Sequence, residues 1–366
     1  MTKAAELAKW GEVSTNGQVS GRRNIIINGA MKVAQRSTSV TGIGGSNGYF
    51  TVDRFHIGKG DTAGRLTMTQ TADGPSGFAN CIKLDCTTAD TSVAAGELLW
   101  LEQRIEGQDL QQFKKGTSDA EQYSVSFYVK GNANATYALA LHDTDNSRHI
   151  VKLFSVTTAW TRITMTFPAD TTGAFNDDNA HSLSVRIWLH AGSTYTSGTL
   201  QSSAWAGLTA ANRAVGITSF FDSTDRTFFL TGLQLEVGSV ATPFEHRSFG
   251  EELVLCQRYC HRINSNGSDD IPIGTGFYNA STTCRVMVTV PTTMRAASTF
   301  TTLDSGLDIL RDSSSDTSIT LDAAIDQSRH GCILNFTGAA STTAGEGVIL
   351  RLGTEAANFI EFDAEL

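Results

Sequence analysis

Leu183-Ser184-Val185-Arg186-Ile187-Trp188-Leu189-His190 alternates strictly, with Leu183, Val185, Ile187 and Leu189 on one side of an extended chain and Arg186, Trp188 and His190 on the other. A period of two over this length defines a strand with one packed face. The pattern recurs in Tyr123 to Val129, Tyr137 to Leu141, Ile163 to Phe167 and Phe229 to Val237, so from Asn24 onward helical periodicity is nearly absent. Such alternation is what antiparallel sheets need when one face is packed, and two sheets facing each other make a sandwich or jelly roll. The fold class read here is all-β.

The period breaks twice. Residues 2 to 10 (TKAAELAKW) read as a short helix that Thr2 can cap; it is marginal alone in water, so Leu7 and Trp10 are its natural contacts with a copy of itself or a docking partner. Ser248-Phe249-Gly250-Glu251 forms a capping box that starts a second helix, with Leu253, Cys256 and Cys260 on one stripe. Beyond the turn cluster NSNGSDDIP (264–272), short strands return from Cys284 to Phe362. The expected organisation is therefore an N-terminal helix and linker (1–23), a jelly roll (24–247), a connecting helix (248–263) and a C-terminal β domain (264–366). No repeat suggests a solenoid or propeller.

Composition narrows the partners. With 366 residues, the chain exceeds what a single core usually holds. Its formal net charge of -9 gives no broad basic field for nucleic acid or an anionic membrane. No run is long and apolar enough to cross a bilayer, and the N-terminus lacks the apolar core of a signal peptide. Cys81, Cys86, Cys256, Cys260, Cys284 and Cys332 are spaced neither as a disulfide framework nor as metal pairs, and read as reduced thiols. No cofactor is implied.

Local motifs favour structure over chemistry. Gly44-Gly45-Ser46-Asn47-Gly48 matches the nucleophile-elbow pattern but lacks the strand before and the helix after it, so it reads as a loop. Asp143, Asp145 and Asn146, after a strand, read first as an Asx-type turn, with calcium, which their oxygens suit, as the alternative. Trp188 stands on the face opposite the aliphatic set, as a sugar platform, a subunit contact or cover for a strand edge. Tyr195 and Trp205 follow in a Gly- and Ser-rich loop where rings can stack on pyranose faces, whereas Trp100 and Trp160 read as core.

The segments NIIINGAMKVAQRSTS (24–39), YFTVDRF (49–55) and GLQLEVGSVATPFEHRSFGEELVLCQRY (232–259), with CIKLDCTTAD, LEQRIEGQDLQ, AGSTYTSGTL, TAANRAVG and the closing FIEFDAEL, resemble a module of tail-fibre-like proteins from marine and cyanobacterial phages. That module is similar to the jelly-roll carbohydrate-binding modules of glycoside hydrolases. The resemblance implies a receptor-binding tail fibre or tail tip: a homotrimer assembled in the host cytoplasm, attached to other virion proteins through its N-terminus and adhering to a host-surface glycan. It supplies no sugar-binding residues. The remaining alternatives are a purely structural virion fibre and a polysaccharide depolymerase, the latter needing a carboxylate pair set across a cleft.

Overall fold

The structure, a computed structural model, describes Lys3 and residues 22–303, 306–311, 314–316, 319–338 and 343–366. The expected docking contacts Leu7 and Trp10 lie outside the described residues. Two compact units divide within the second helix, one ending at Glu252 and the other running Leu253–Glu365.

The N-terminal unit is a β-sandwich. Its six-stranded sheet orders Ser39–Ile43, Arg65–Thr71, Cys81–Thr88, Thr227–Val237, Tyr123–Gly131 and Thr161–Phe167. The facing seven-stranded sheet orders Ala206–Gly207, Arg148–Val156, Ala135–Asp143, His181–Ala191, Leu98–Glu106, His56–Gly60 and Gly48–Tyr49. All pairings are antiparallel, and the chain crosses repeatedly between sheets, as a jelly roll requires. The alternating sets meet in between: Leu183, Val185, Ile187 and Leu189 pack with Val125, Phe127, Val129, Leu139, Leu141 and Leu235. Burying each such side chain contributes about 1.5–3 kcal/mol.

Residues 24–35 are not a strand, because Asn28 and Met31 take left-handed backbone conformations (φ 59° and 56°) that interrupt a ladder. The segment is nonetheless fastened along the last strand, where Ile25 N donates to Leu235 O and Leu233 N to Gly29 O, both at 3.0 Å. Ser46 lies on an exposed turn between two strands with no helix after it.

The capping box forms, with Glu251 N donating to Ser248 Oγ at 3.3 Å and Ser248 N to Glu251 Oε2 at 3.1 Å, at the start of the helix Phe249–Gln257. Cys260 departs from the expected helical stripe. It opens the strand Cys260–Asn264, which pairs with Phe359–Asp363.

The C-terminal unit has a three-stranded sheet, Cys260–Asn264, Phe359–Asp363 and Thr299–Thr302. Its seven-stranded sheet orders Ser314–Asp316, Leu307–Arg311, Gly347–Leu352, Ile271–Tyr278, Thr283–Thr289, Gly331–Gly338 and Ile319–Ser328. Val286, Val288, Leu334, Phe336, Leu350, Leu352, Ile360 and Phe362 form its core. All six cysteines are buried and lie outside any disulfide, and burial pushes the Cys86 thiol up to about 11. No helix of the described residues is long and apolar enough to cross a membrane.

Candidate functional site: the outward face of a seven-stranded sheet

The same alternation that packs the sandwich sends a second set of residues outward from the N-terminal unit's seven-stranded sheet. Register sets these residues side by side. Trp188 lies opposite Trp100 and Ala138, Arg186 opposite Glu102 and Ala140, His142 opposite His149, and His56 opposite Glu102. Small residues make room for large ones. Gly58 pairs with Trp100, and a Cβ there would stand 2.0 Å from the indole Nε1.

Glu102 is the electrostatic centre. It is 1% exposed and accepts from Arg186 Nε at 2.8 Å and Arg104 Nε at 2.9 Å, with His56 Nδ1 at 3.2 Å. Burial opposes its charge, but the Arg186 guanidinium and the His56 hydrogen bond win and hold the carboxyl well below its ordinary range. Arg186 in turn lies 4.0 Å over the Trp100 ring. Trp100 and Trp188 meet edge to face at 5.0 Å, and Tyr195 lies 5.4 Å from Trp188. The Arg213 guanidinium sits 4.9 Å over the Trp188 ring, and burial pulls its pKa down to about 10.

Three imidazoles of the same sheet are neutral near pH 7. Burial and the Arg186 and Arg213 charges push His142 down to about 3; burial first and then Arg213 push His149 to about 4. His181 is likewise pushed to about 4 by burial, with Glu102 opposing. The buried nitrogens Trp100 Nε1, Trp188 Nε1, His142 Nδ1 and His149 Nε2 have no hydrogen-bond partner among the described residues. All four belong to this one face.

The expected aromatic sites separate. Trp188 is not on a wet face: it is fully buried, because residues 192–217 fold back over it and bring Tyr195, Leu200, Ala214 and Ile217 into a second, outer apolar cluster. Tyr195 is half-buried beside it. Trp205 lies in the sandwich core, 5.4 Å from Tyr123, with its Nε1 donating to Pro168 O at 2.9 Å, so its ring is closed to a ligand. Trp100, read as core, is instead half-buried on the outward face. Glu102, Arg104 and Arg213 escaped the sequence reading too, although Trp100, Glu102 and Arg104 share a parity opposite to Leu99 and Leu101.

The calcium candidates hold a tethered cation. Asp143 Oδ2 pairs with Lys115 Nζ at 2.7 Å, and the same ammonium reaches Asp170 Oδ2 at 3.1 Å, Thr172 O at 2.8 Å and Gly173 O at 2.6 Å. Arg148 completes the balance with two hydrogen bonds to Asp170, at 2.8 and 2.9 Å. Asn146 N donates to Asp143 Oδ1 at 3.0 Å in an Asx-type turn, and Asp145 Oδ2 accepts from Asn176 N at 3.0 Å. The carboxylate that a calcium ion would need is committed elsewhere. Among the described residues the remaining gathering of metal-type donors is Asp90, Glu97 and His190.

No family model matches the sequence, and no curated protein matches it, so the resemblance to marine and cyanobacterial phage modules finds no counterpart there. Similar solved structures include the enzymatically active domain of a bacteriophage CBA120 tailspike protein, at 12% identity and TM-score 0.31 over 60% of this chain and 22% of that one. The chain thus spans about a fifth of that domain's length. A family 61 carbohydrate-binding module in complex with β-1,4-galactotriose is similar at 9% identity and TM-score 0.31, over 59% of this chain and 99% of that one. A xylan-binding domain from Paenibacillus barcinonensis is similar at 10% identity and TM-score 0.29, over 61% and 100%.

Proposed function

We propose that the chain is an adhesion protein of a bacteriophage particle, a tail fibre or tail-tip component, which holds a host-surface glycan reversibly on the outward face described above. The observation that carries the glycan reading is Trp100: a half-buried indole with Arg186 at 4.0 Å and Arg213 at 5.9 Å, whose own N–H is unpaired. A pyranose presents a C–H face that stacks on an indole and a rim of hydroxyls. Those hydroxyls suit the partly exposed Arg213 guanidinium beside the ring.

The virion part of the reading rests on the segments 24–39, 49–55 and 232–259. Assembly as a homotrimer is supported by Met287, Phe277 and Ile349, 60%, 50% and 38% exposed on the C-terminal unit, because exposed apolar residues grouped on one face suit contact between copies. Repeated weak sites then act together through avidity. Binding without hydrolysis is part of the proposal, and incubation with host polysaccharide, scored by new reducing ends, tests it.

The decisive experiment measures adsorption of the purified protein to host cells and host polysaccharide. Trp100→Ala is expected to weaken single-site binding about ten- to a hundredfold. Wild-type binding by that variant, with binding lost on truncation at Asn264, makes the jelly roll a spacer and moves recognition to residues 264–366.

A further inference from the structure

At the end of the N-terminal unit's seven-stranded sheet, three buried donors converge. Asp90 follows the strand Cys81–Thr88, Glu97 precedes Leu98–Glu106, and His190 is the penultimate residue of His181–Ala191. They are 6%, 5% and 0% exposed, and their ligand atoms lie within 4.8 Å of one another. His190 Nε2 is 3.1 Å from Glu97 Oε2. Among the described residues no lysine or arginine forms an ion pair with either carboxylate.

We infer that Asp90, Glu97 and His190 form a binding site for a divalent transition-metal ion of the zinc or manganese class. Charge supports this first: two carboxylates gathered in a buried volume, with no lysine or arginine beside them among the described residues, suit one divalent ion. Donor type supports it second, since imidazole suits borderline transition ions, whereas calcium asks for six to eight oxygens. Orientation supports it third. Thr62 Oγ and Ala63 N donate to Asp90 Oδ2 at 2.9 and 2.8 Å, fixing that carboxylate. On the far side of the imidazole, His190 Nδ1 lies 2.8 Å from Ser219 Oγ.

Ser219 suits either state of the ring. Its oxygen already accepts from Phe221 N at 3.0 Å, and its remaining lone pair can accept from Nδ1–H, which leaves the Nε2 lone pair free for a metal. Without metal, the hydroxyl donates to Nδ1 and Nε2–H turns to Glu97. On binding, the ring proton moves from Nε2 to Nδ1 and the ion takes its place at Nε2. Tetrahedral bonds of about 2.0–2.2 Å would draw the donors to about 3.3 Å apart, within reach of side-chain rotation. A water completes the set. The ion would clasp both ends of the exposed 91–96 loop, which also holds the start of the 192–217 segment through Thr194 N donating to Ala95 O at 3.0 Å.

The test uses the full chain, stripped with chelator and dialysed, titrated calorimetrically with zinc chloride, manganese chloride and calcium chloride in parallel. The expected result is one zinc or manganese ion per chain and a melting temperature raised by about 5–10 °C at a hundredfold excess over Kd. Glu97→Gln and His190→Gln should each weaken binding about a hundredfold, while His149→Gln leaves it unchanged. If those variants do not fold, the cobalt-loaded wild-type protein must show the visible absorption of a four- or five-coordinate site. Absence of saturable one-to-one binding, saturation by calcium alone, undiminished binding by a folded Glu97→Gln variant, or a colourless cobalt complex each overturns the assignment.

Discussion

The two seven-stranded sheets alternate with the same period and use their outward positions in opposite ways. Along His181–Ala191 of the N-terminal unit the outward Ser184, Arg186, Trp188 and His190 are as buried as the inward aliphatics. Along Thr283–Thr289 of the C-terminal unit, Cys284, Val286 and Val288 are buried, while the outward Arg285 and Met287 are exposed. Register aligns a mostly aliphatic row there, running from Leu310 through Ile349, Thr275, Met287 and Ile333 to Ile325. The difference teaches that alternation fixes parity alone. Whether an outward residue is wet depends on a distant segment, and where one returns, charges beneath it have to be matched in pairs.

The comparison breaks most readily at Glu102. Glu102→Gln leaves the Arg186 guanidinium buried without a counter-charge and is expected to destabilise the N-terminal unit by about 3–5 kcal/mol in urea unfolding. Asp308→Asn, which removes the 2.5 Å partner of the more open Arg351, is expected to cost less. Equal losses at the two positions would erase the contrast.

Acid is expected to act next in size. The folded His149 value is depressed, so its contribution is complete above the unfolded value near 6.5 and is lost as pH falls from there toward about 4. The full difference is worth about 3 kcal/mol, with His142 and His181 pulling in the same direction. Denaturant midpoints followed from pH 7 to 4 should therefore fall, and His149→Gln should flatten the curve.

Arg213→Met tests the cover itself. It removes the cation over Trp188 while keeping an apolar stem, for an expected cost of about 1–2 kcal/mol and faster hydrogen exchange across residues 192–217. The smallest effect on stability is expected on the C-terminal face, where Met287→Glu should change unfolding by less than about 0.5 kcal/mol while lowering the association state seen by light scattering. A monomeric wild-type chain at micromolar concentration removes that reading of the face.

Much of the sandwich was legible because its information is local. The inward sets of Tyr123 to Val129 and Leu183 to Leu189 could be placed from parity, and the helix start from Ser248 and Glu251. The outward cluster was not, since it depends on Ala206–Gly207 pairing with Arg148 and His149, and on Thr218 N donating to Thr136 O at 2.7 Å. No local period records such contacts. Trp205 misled for a related reason: its small polar neighbours describe the loop's surface, while the ring turns into the core. Cys260 kept helical spacing from Cys256, yet pairing with Asp363 drew it into a strand.

Lys115 carries a consequence for where such a protein can work. A free ion bridging loops is in exchange with its surroundings, so its occupancy follows salinity, dilution and competing chelators. An ammonium built into the chain and held among Asp143, Asp170 and two carbonyl oxygens is present once per molecule from the moment of synthesis. The join between these loops is therefore indifferent to the mineral content of the medium outside.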